Sequence, residues 1–170
     1  MLNIVLYEPE IPQNTGNIMR SCMAFNAKLH LIEPLGFKLD EKHLRRSAMD
    51  YIKDLDYKVY PDWETFKKDH EGRFVYFTRY ALKGFENCVF DKDDADTYLV
   101  FGKESTGIDK KILKDNLDDC YRIPMVPKAR SLNLSNTVAI GIYEYYRQTG
   151  FDGLSDYEVL KGKYFLIDLK

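Results

Sequence analysis

Short apolar runs separated by helical patterns constrain the fold of this chain more than any other feature of its sequence. The runs fall at residues 2–7, 28–33, 73–78, 96–101 and 119–123, and each has the length and composition of a strand. Between most of them lie stretches with helical spacing or polar helix-forming residues. This alternation predicts an α/β fold with a mostly parallel sheet flanked by helices.

The length of the chain predicts one domain. With 170 residues, 45% of them hydrophobic, the chain can bury one large core but is too short for two ordinary domains. We therefore assign residues 1–150 to a single domain and treat residues 151–170 as a C-terminal extension of unknown role. The apolar run at 163–169 within this extension is consistent with a strand or with an association segment.

Composition excludes several classes of protein. The formal net charge is -2, so any nucleic-acid contact must come from local patches rather than from a global positive field. The apolar run at the start is stopped by Glu8-Pro9-Glu10, which predicts a cytoplasmic protein without a signal peptide or membrane contact. Three widely spaced cysteines and three scattered histidines match no disulfide framework and no metal-ligand spacing, so we expect no metal.

The first chemically specific segment is residues 12–20, which places two amides and a guanidinium near the start of a helix that follows the first strand. In an open α/β sheet, ligands bind at this position. Asn14 and Thr15 are residue types that cap helices, so we expect the helix to begin there. The alternative is that Asn14 only caps the helix and that Arg20 is a solvated cation.

The second segment is residues 101–108, directly after another apolar run. Gly102 and Gly107 allow backbone amides to approach a ligand closely, and Glu104 supplies a carboxylate at the strand end. The glycine and lysine spacing is not that of a phosphate-binding P-loop. Taken alone, the segment is also consistent with an ordinary structural turn.

The third segment is residues 122–136, in which Pro124 and Pro127 flank an apolar pair. An extended chain of this kind exposes carbonyls and aliphatic faces to a flat aromatic ligand such as adenine. Four polar side chains then crowd the approach to the last helix, which is more than a helix cap needs: Ser131, Asn133, Ser135 and Asn136. Helical apolar spacing begins at Leu134, and Gly150 predicts the end of that helix.

These three segments resemble, in order and spacing, the three signature motifs of the SPOUT class of RNA methyltransferases, in particular its TrmH-like branch. The resemblance covers roughly residues 1–150. Within the branch, the opening residues 4–12 and the segment Leu44-Arg45-Arg46 are similar to the minimal enzymes that methylate the wobble nucleotide of leucine tRNAs, cytidine or uridine.

This resemblance implies a deep trefoil knot in the C-terminal half and a homodimer whose active site lies near the subunit interface. It implies a donor pocket for S-adenosyl-L-methionine built from Phe77, Thr78, Gly102, Gly107, Ile123, Met125, Ser131 and Leu132. It implies tRNA as partner and a catalytic set of Asn14, Arg20, Glu104 and Asn133. Four cations flank the motifs and are expected to contact RNA phosphates: Arg45, Arg46, Lys128 and Arg130.

The chemistry of ribose methylation agrees with these residue types. The hydroxyl oxygen must be aimed at the methyl carbon of a sulfonium donor. A guanidinium stays protonated in proteins, so Arg20 is not expected to act as the general base. We expect Arg20 instead to bind a phosphate and to stabilise the negative charge that develops on the hydroxyl oxygen.

Three alternatives remain open at this stage. One is a SPOUT homologue that binds RNA without catalysis, and another is a 2′-O-methyltransferase that acts on a different tRNA or rRNA site. A Rossmann-type enzyme is disfavoured because no G-x-G-x-x-G follows the first strand.

Overall fold

The computed structural model describes residues 1–39, 55–94 and 96–169. In this part of the chain, seven strands form one sheet: β1 (Leu2–Tyr7), β2 (Lys28–Ile32), β3 (Tyr57–Tyr60), β4 (Arg73–Phe77), β5 (Lys83–Gly84), β6 (Thr97–Gly102) and β7 (Cys120–Arg122). The strand order is β3-β2-β1-β6-β4-β7-β5, and all pairs are parallel. The mostly parallel sheet with flanking helices is confirmed.

The sequence patterns located five of these strands to within two residues at either end. They missed β3, whose first two residues are exposed, because Tyr57 and Lys58 interrupt the apolar pattern. They also missed β5, because a pair of only two residues, Lys83 and Gly84, carries no periodic signal.

Four α-helices occur in the described residues: α1 (Pro12–Ala24), α2 (Trp63–Lys68), α3 (Lys110–Asp115) and α4 (Leu134–Thr149). One apolar cluster joins one face of the sheet to α1 and α4, through side chains such as Ile18 and Ile142. A second cluster joins the opposite face to α2 and α3, through Phe66 and Leu113. The two clusters explain why the strands read as continuous apolar runs, since both faces of the sheet are covered.

The start of α1 differs from the expectation. The helix begins at Pro12, and its N-cap residue, Ile11, makes no side-chain capping bond. Proline suits the first helical position because its missing N–H would have no partner there. The prediction that Asn14 and Thr15 cap this helix is therefore wrong, because both lie within its first turn and are buried.

The last helix agrees with the sequence pattern. Asn133 caps its N-terminus by accepting hydrogen bonds from the backbone N–H groups of Ser135 and Asn136, and Gly150 ends it with a positive φ of 95°. Beyond it, residues 151–169 form turns, so the strand considered for 163–169 is not present. Large apolar side chains in this segment are exposed, for example Leu160 at 95%.

His30 on β2 is fully buried in a hydrogen-bonded group. Its Nε2 lies 3.0 Å from the amide oxygen of Asn3, and its Nδ1 lies 3.1 Å from the hydroxyl of Tyr60. The amide oxygen can only accept, so Nε2 donates in the neutral ring, and Nδ1 faces a tyrosine hydroxyl that also lies 3.2 Å from Nε2 of His70. Burial lowers the pKa of His30 to about 3, with a smaller contribution from nearby His70.

This burial predicts a pH-dependent stability. The pKa of this histidine is 6.5 in the unfolded chain and about 3 in the folded protein. Between these two pH values the unfolded state binds more protons than the folded state. The free energy of unfolding therefore falls as the pH drops below ~6.5. Relative to a His30→Gln variant, the wild type should lose up to about 1.4 kcal/mol of unfolding free energy per pH unit. Urea unfolding between pH 7.5 and 4.5 measures this, and a constant gap between the two proteins would contradict the buried neutral histidine.

Candidate active site

A cavity of about 680 Å³ opens at the carboxyl edge of the sheet, beyond the ends of β4, β6 and β7 and beside the start of α4. Its walls come from three stretches of chain, within residues 77–80, 101–110 and 121–137, together with Ile11 and Asn14 from the start of α1. The aligned register of parallel strands places these loops at one edge, which is where open α/β sheets bind ligands. The volume lies in the ordinary range for small-molecule sites.

Glu104 joins the second motif to the start of α1. One of its carboxylate oxygens accepts a hydrogen bond from the backbone N–H of Glu10 (2.8 Å), and the other accepts from the N–H of Ile11 (3.3 Å) and from the side-chain amide of Asn14 (2.9 Å). A negative charge beside the N-terminus of α1 is favourable because the first N–H groups of a helix lack internal partners. Glu104 thus takes the role that the sequence gave to Asn14.

Asn14 extends this connection to the third motif. Its side-chain oxygen accepts a hydrogen bond from the side-chain amide of Asn133 at 2.9 Å. The oxygen of Asn133 accepts from the N–H and the hydroxyl of Ser135, at 2.9 and 2.7 Å. Three of the four residues predicted to be catalytic therefore form one continuous hydrogen-bonded chain, which we call the motif network: Glu104, Asn14 and Asn133.

Two further pairs hold the second-motif loop against the residues that follow β1. The backbone N–H and the hydroxyl of Ser105 both donate to the carboxylate of Glu10, and these bonds lower the pKa of Glu10. Lys103 donates to the carboxylate of Glu8 at 2.5 Å, and this bond raises the pKa of Lys103. These two pairs fix the second-motif loop against the segment that follows β1.

The two glycines of the second motif serve different purposes. A Cβ atom at Gly102 would lie 2.1 Å from the backbone nitrogen of Ile108 and 2.6 Å from Cα of Gly107, so a side chain there would dismantle the loop itself. The nearest atoms to that Cβ position all belong to the backbone of the loop. Gly107 has a φ of +77° and open space around its Cβ position.

The structure brings most of the sequence-predicted site residues together. All eight residues expected to bind the donor line the cavity: Phe77, Thr78, Gly102, Gly107, Ile123, Met125, Ser131 and Leu132. Arg130 also lines the cavity, whereas Lys128 is exposed and does not. Arg45 and Arg46 lie outside the described residues.

Arg20 does not reach this cavity within one chain. It is exposed on α1 and borders a separate surface depression with Asn17 and Phe25. A separation of six residues from Asn14 corresponds to about 240° around an α-helix, so the two side chains point to different faces. The structure therefore does not join Arg20 to the other three predicted catalytic residues in the same chain.

Sequence reasoning missed four residues at the mouth of the cavity, namely Arg79, Tyr80, Lys110 and Arg122. The only available signal was the position of Arg79 and Tyr80 directly after β4, on the same edge as the motifs. Within residues 1–39, 55–94 and 96–169, no cluster of metal-ligating side chains is found. Nor is any helix in these ranges long and apolar enough to cross a membrane.

Fold and cavity together define an α/β protein with a cavity at the carboxyl edge of a parallel sheet, the edge where such sheets bind ligands. The chain belongs to the SpoU rRNA Methylase family, whose model matches residues 1–143. The expected resemblance to SPOUT RNA methyltransferases is thereby confirmed.

Three similar proteins or solved structures show how closely this chain matches individual members of the class. A protein of Saccharophagus degradans named tRNA (cytidine(34)-2'-O)-methyltransferase is 44% identical over 156 residues, covering 90% of this chain and 99% of its own. A structure solved for insights into the 2-OH methylation of C/U34 on tRNA has 37% identity and a TM-score of 0.80, over 87% of this chain and 95% of its own. The SpoU methyltransferase AviRb of Streptomyces viridochromogenes, solved in complex with the cofactor AdoMet, has 25% identity and a TM-score of 0.71, over 87% of this chain and 57% of its own.

The positive φ of Gly107 provides a test of the loop. Gly107→Ala should weaken S-adenosylmethionine binding about tenfold, since an L-residue in this conformation costs roughly 1–2 kcal/mol and the strain shifts the loop that lines the cavity. Gly153→Ala is the matched control, because Gly153 has a φ of +81° and equally open surroundings but lies in the tail. Calorimetry measures both affinities, and equal donor affinity in the two variants would remove this loop from the donor site.

Proposed function

We propose that this chain transfers a methyl group from S-adenosylmethionine to the ribose 2′-hydroxyl of nucleotide 34 in tRNA, cytidine or uridine, with leucine tRNAs as substrates. The motif network around the cavity is the observation that carries this proposal, because it joins the segments that resemble the three SPOUT motifs. The names of the relatives support the choice of tRNA and of position 34.

The proposal includes the organisation of the protein. Residues 1–150 form the methyltransferase domain, with the trefoil knot that the family resemblance implies, and residues 151–170 are an extension whose role stays open. The enzyme works in the cytoplasm as a homodimer.

The cavity fits the methyl donor. Phe77, Ile123 and Leu132 supply apolar walls for an adenine ring, while the loops after β6 and β7 bring backbone polar groups to the same space. When bound, S-adenosylmethionine supplies an electrophilic methyl group. The backbone around Phe77, Gly102, Ile123 and Ser131 would hold it, with Thr78, Gly107, Met125 and Leu132 as further lining.

The residues of the chain then have three tasks. Asn14, Glu104 and Asn133 fix the loops so that the ribose hydroxyl meets the methyl carbon in line, which lowers the entropic part of the barrier. The guanidinium of Arg20 grips the adjacent phosphate and stabilises the negative charge that develops on the hydroxyl oxygen. The hydroxyl proton leaves to phosphate or water, because a guanidinium is not a practical base.

Arg20 can perform this task only at the cavity of the partner subunit. Within its own chain it is exposed on α1 and separated from the motif network. A twofold symmetric dimer presents the same patch of each subunit to the other, so both cavities would gain an arginine at once. The active site is therefore shared between the subunits.

A tRNA that lacks the 2′-hydroxyl of nucleotide 34 tests the reaction itself. A leucine tRNA should take up labelled methyl groups from S-adenosylmethionine, and the same tRNA with a 2′-deoxy ribose at nucleotide 34 should take up none. Only one oxygen differs between the two RNAs, so binding should be nearly equal. Equal labelling of both would place the methylated position elsewhere, and RNA binding without any labelling would favour the non-catalytic alternative.

The shared site is tested by complementation. Two chains, Arg20→Ala and Gly102→Val, are expressed together with different tags, and the doubly purified heterodimer is assayed. It contains one cavity with an intact loop and an intact partner arginine, so it should have about half the wild-type activity per dimer, although each variant homodimer has almost none. An inactive heterodimer would mean that Arg20 serves its own chain, and a fully active Arg20→Ala homodimer would remove Arg20 from the reaction.

A further inference from the structure

An exposed tyrosine surrounded by cations lies at the mouth of the cavity. Tyr80 is 51% exposed and lies just beyond β4. The guanidinium of Arg79 lies 4.9 Å from the centre of its ring, and the ammonium of Lys110 lies 4.8 Å from it. Arg79 also donates a hydrogen bond to the Tyr80 hydroxyl at 2.8 Å, and this bond lowers the pKa of Tyr80. Half of the side chain thus remains open to solvent despite two neighbouring cations.

Hydrogen bonds attach this group to the loops of the cavity. Lys110 donates to the backbone oxygens of Thr106 and Ile108, at 2.9 and 3.2 Å, in the second-motif loop. Arg122, at the end of β7, donates to the backbone oxygen of Arg79 at 3.3 Å. The tyrosine is therefore held in a fixed position relative to the cavity, rather than attached to an independent surface loop.

Within the described residues, the three cations at the rim have no acidic partner. In the described ranges of the chain, Arg79, Lys110 and Arg122 form no ion pair, whereas Lys103, deeper in the same loop, is paired with Glu8. Unpaired cations around an aromatic ring suit a ligand that has both a flat π-face and negative charge. A nucleotide of single-stranded RNA has both.

We propose that Tyr80 is a stacking platform for an unpaired base next to the methylated nucleotide, and that Arg79, Lys110 and Arg122 bind the neighbouring phosphates. This inference rests on the proposed function, since it assigns to the same site a way of gripping RNA. Proteins read unpaired loop nucleotides by splaying the bases onto aromatic side chains, while cationic grooves follow the backbone. The platform lies at the rim of the cavity, so a base stacked there would belong to the RNA rather than to the methyl donor.

The test compares RNA affinity, donor affinity and turnover in one set of variants. Tyr80→Ala should raise the Kd and KM for an anticodon stem-loop RNA about tenfold, because stacking of one base on an aromatic ring has this order of effect. The kcat at saturating RNA and the affinity for S-adenosylmethionine should stay near the wild-type values. Tyr80→Phe should bind RNA as the wild type does, since the ring is retained. Tyr157→Ala is the matched control, because Tyr157 is 49% exposed but lies in the tail.

Abasic substitutions identify the stacked base. Stem-loop RNAs that lack one base next to nucleotide 34 should bind the wild type more weakly, and the same RNAs should show no such loss with Tyr80→Ala. In parallel, Arg79→Gln should reduce the slope of log Kd against log salt by about 0.7, the value for one phosphate contact on a single strand.

The outcomes separate this inference from the proposed function. If the wild type methylates the RNA and Tyr80→Ala has unchanged KM and Kd, the platform is refuted and the methyltransferase stands. If Tyr80→Ala instead loses donor affinity, the tyrosine belongs to the donor pocket and the inference is again refuted. If the wild type fails to methylate any tRNA, the proposed function fails, whereas the binding comparison still decides whether Tyr80 contacts RNA.

Discussion

The motif network is the interaction on which the candidate site depends. Asn14 is bonded to Glu104, 90 residues later in the chain, and to Asn133, 119 residues later. Asn14 is buried, and a buried polar group left without its partner costs about 1–3 kcal/mol, so its two hydrogen bonds favour the arrangement in which the three loops meet. The cavity lies between these loops. Its shape therefore follows from a few hydrogen bonds between distant segments as much as from the apolar core beneath.

Much of this arrangement could be predicted because local sequence patterns report burial and the alternation of strands with helices. The runs that became β1 and β6 are apolar on both faces, which is typical of a central parallel strand, and they pair from Leu2 with Thr97 to Tyr7 with Gly102. Once the strands are parallel, the segments that follow them must meet at one edge. The placement in one cavity of the eight residues expected to bind the donor follows from that rule together with the motif resemblance.

The remaining features depend on partners that are remote in sequence. Capping preferences favour Asn14 as the start of α1, but the carboxylate of Glu104 satisfies the helix N-terminus from another loop and leaves Asn14 free to bond Asn133. Arg20 belongs to the same motif as Asn14, yet helical geometry directs it to another face. Tyr80 belongs to no periodic pattern of the sequence. A single exposed aromatic residue indicates no binding role until the side chains around it in space are known.

A formal charge of -2 gives no indication of an RNA partner, and the distribution of charge explains why. In the described part of the chain, acidic residues near the cavity are used internally: Glu8 pairs with Lys103, Glu10 binds Ser105, and Glu104 holds the start of α1. These carboxylates are engaged by donors within the loops, while the cations at the rim form no ion pair in the described residues and keep their charge available to a ligand. Because fields between exposed charges are screened within about 10 Å at 0.1 M salt, the local excess at the rim acts on a bound nucleotide and the overall charge does not. A small domain can therefore attract RNA at one edge of its sheet without being basic.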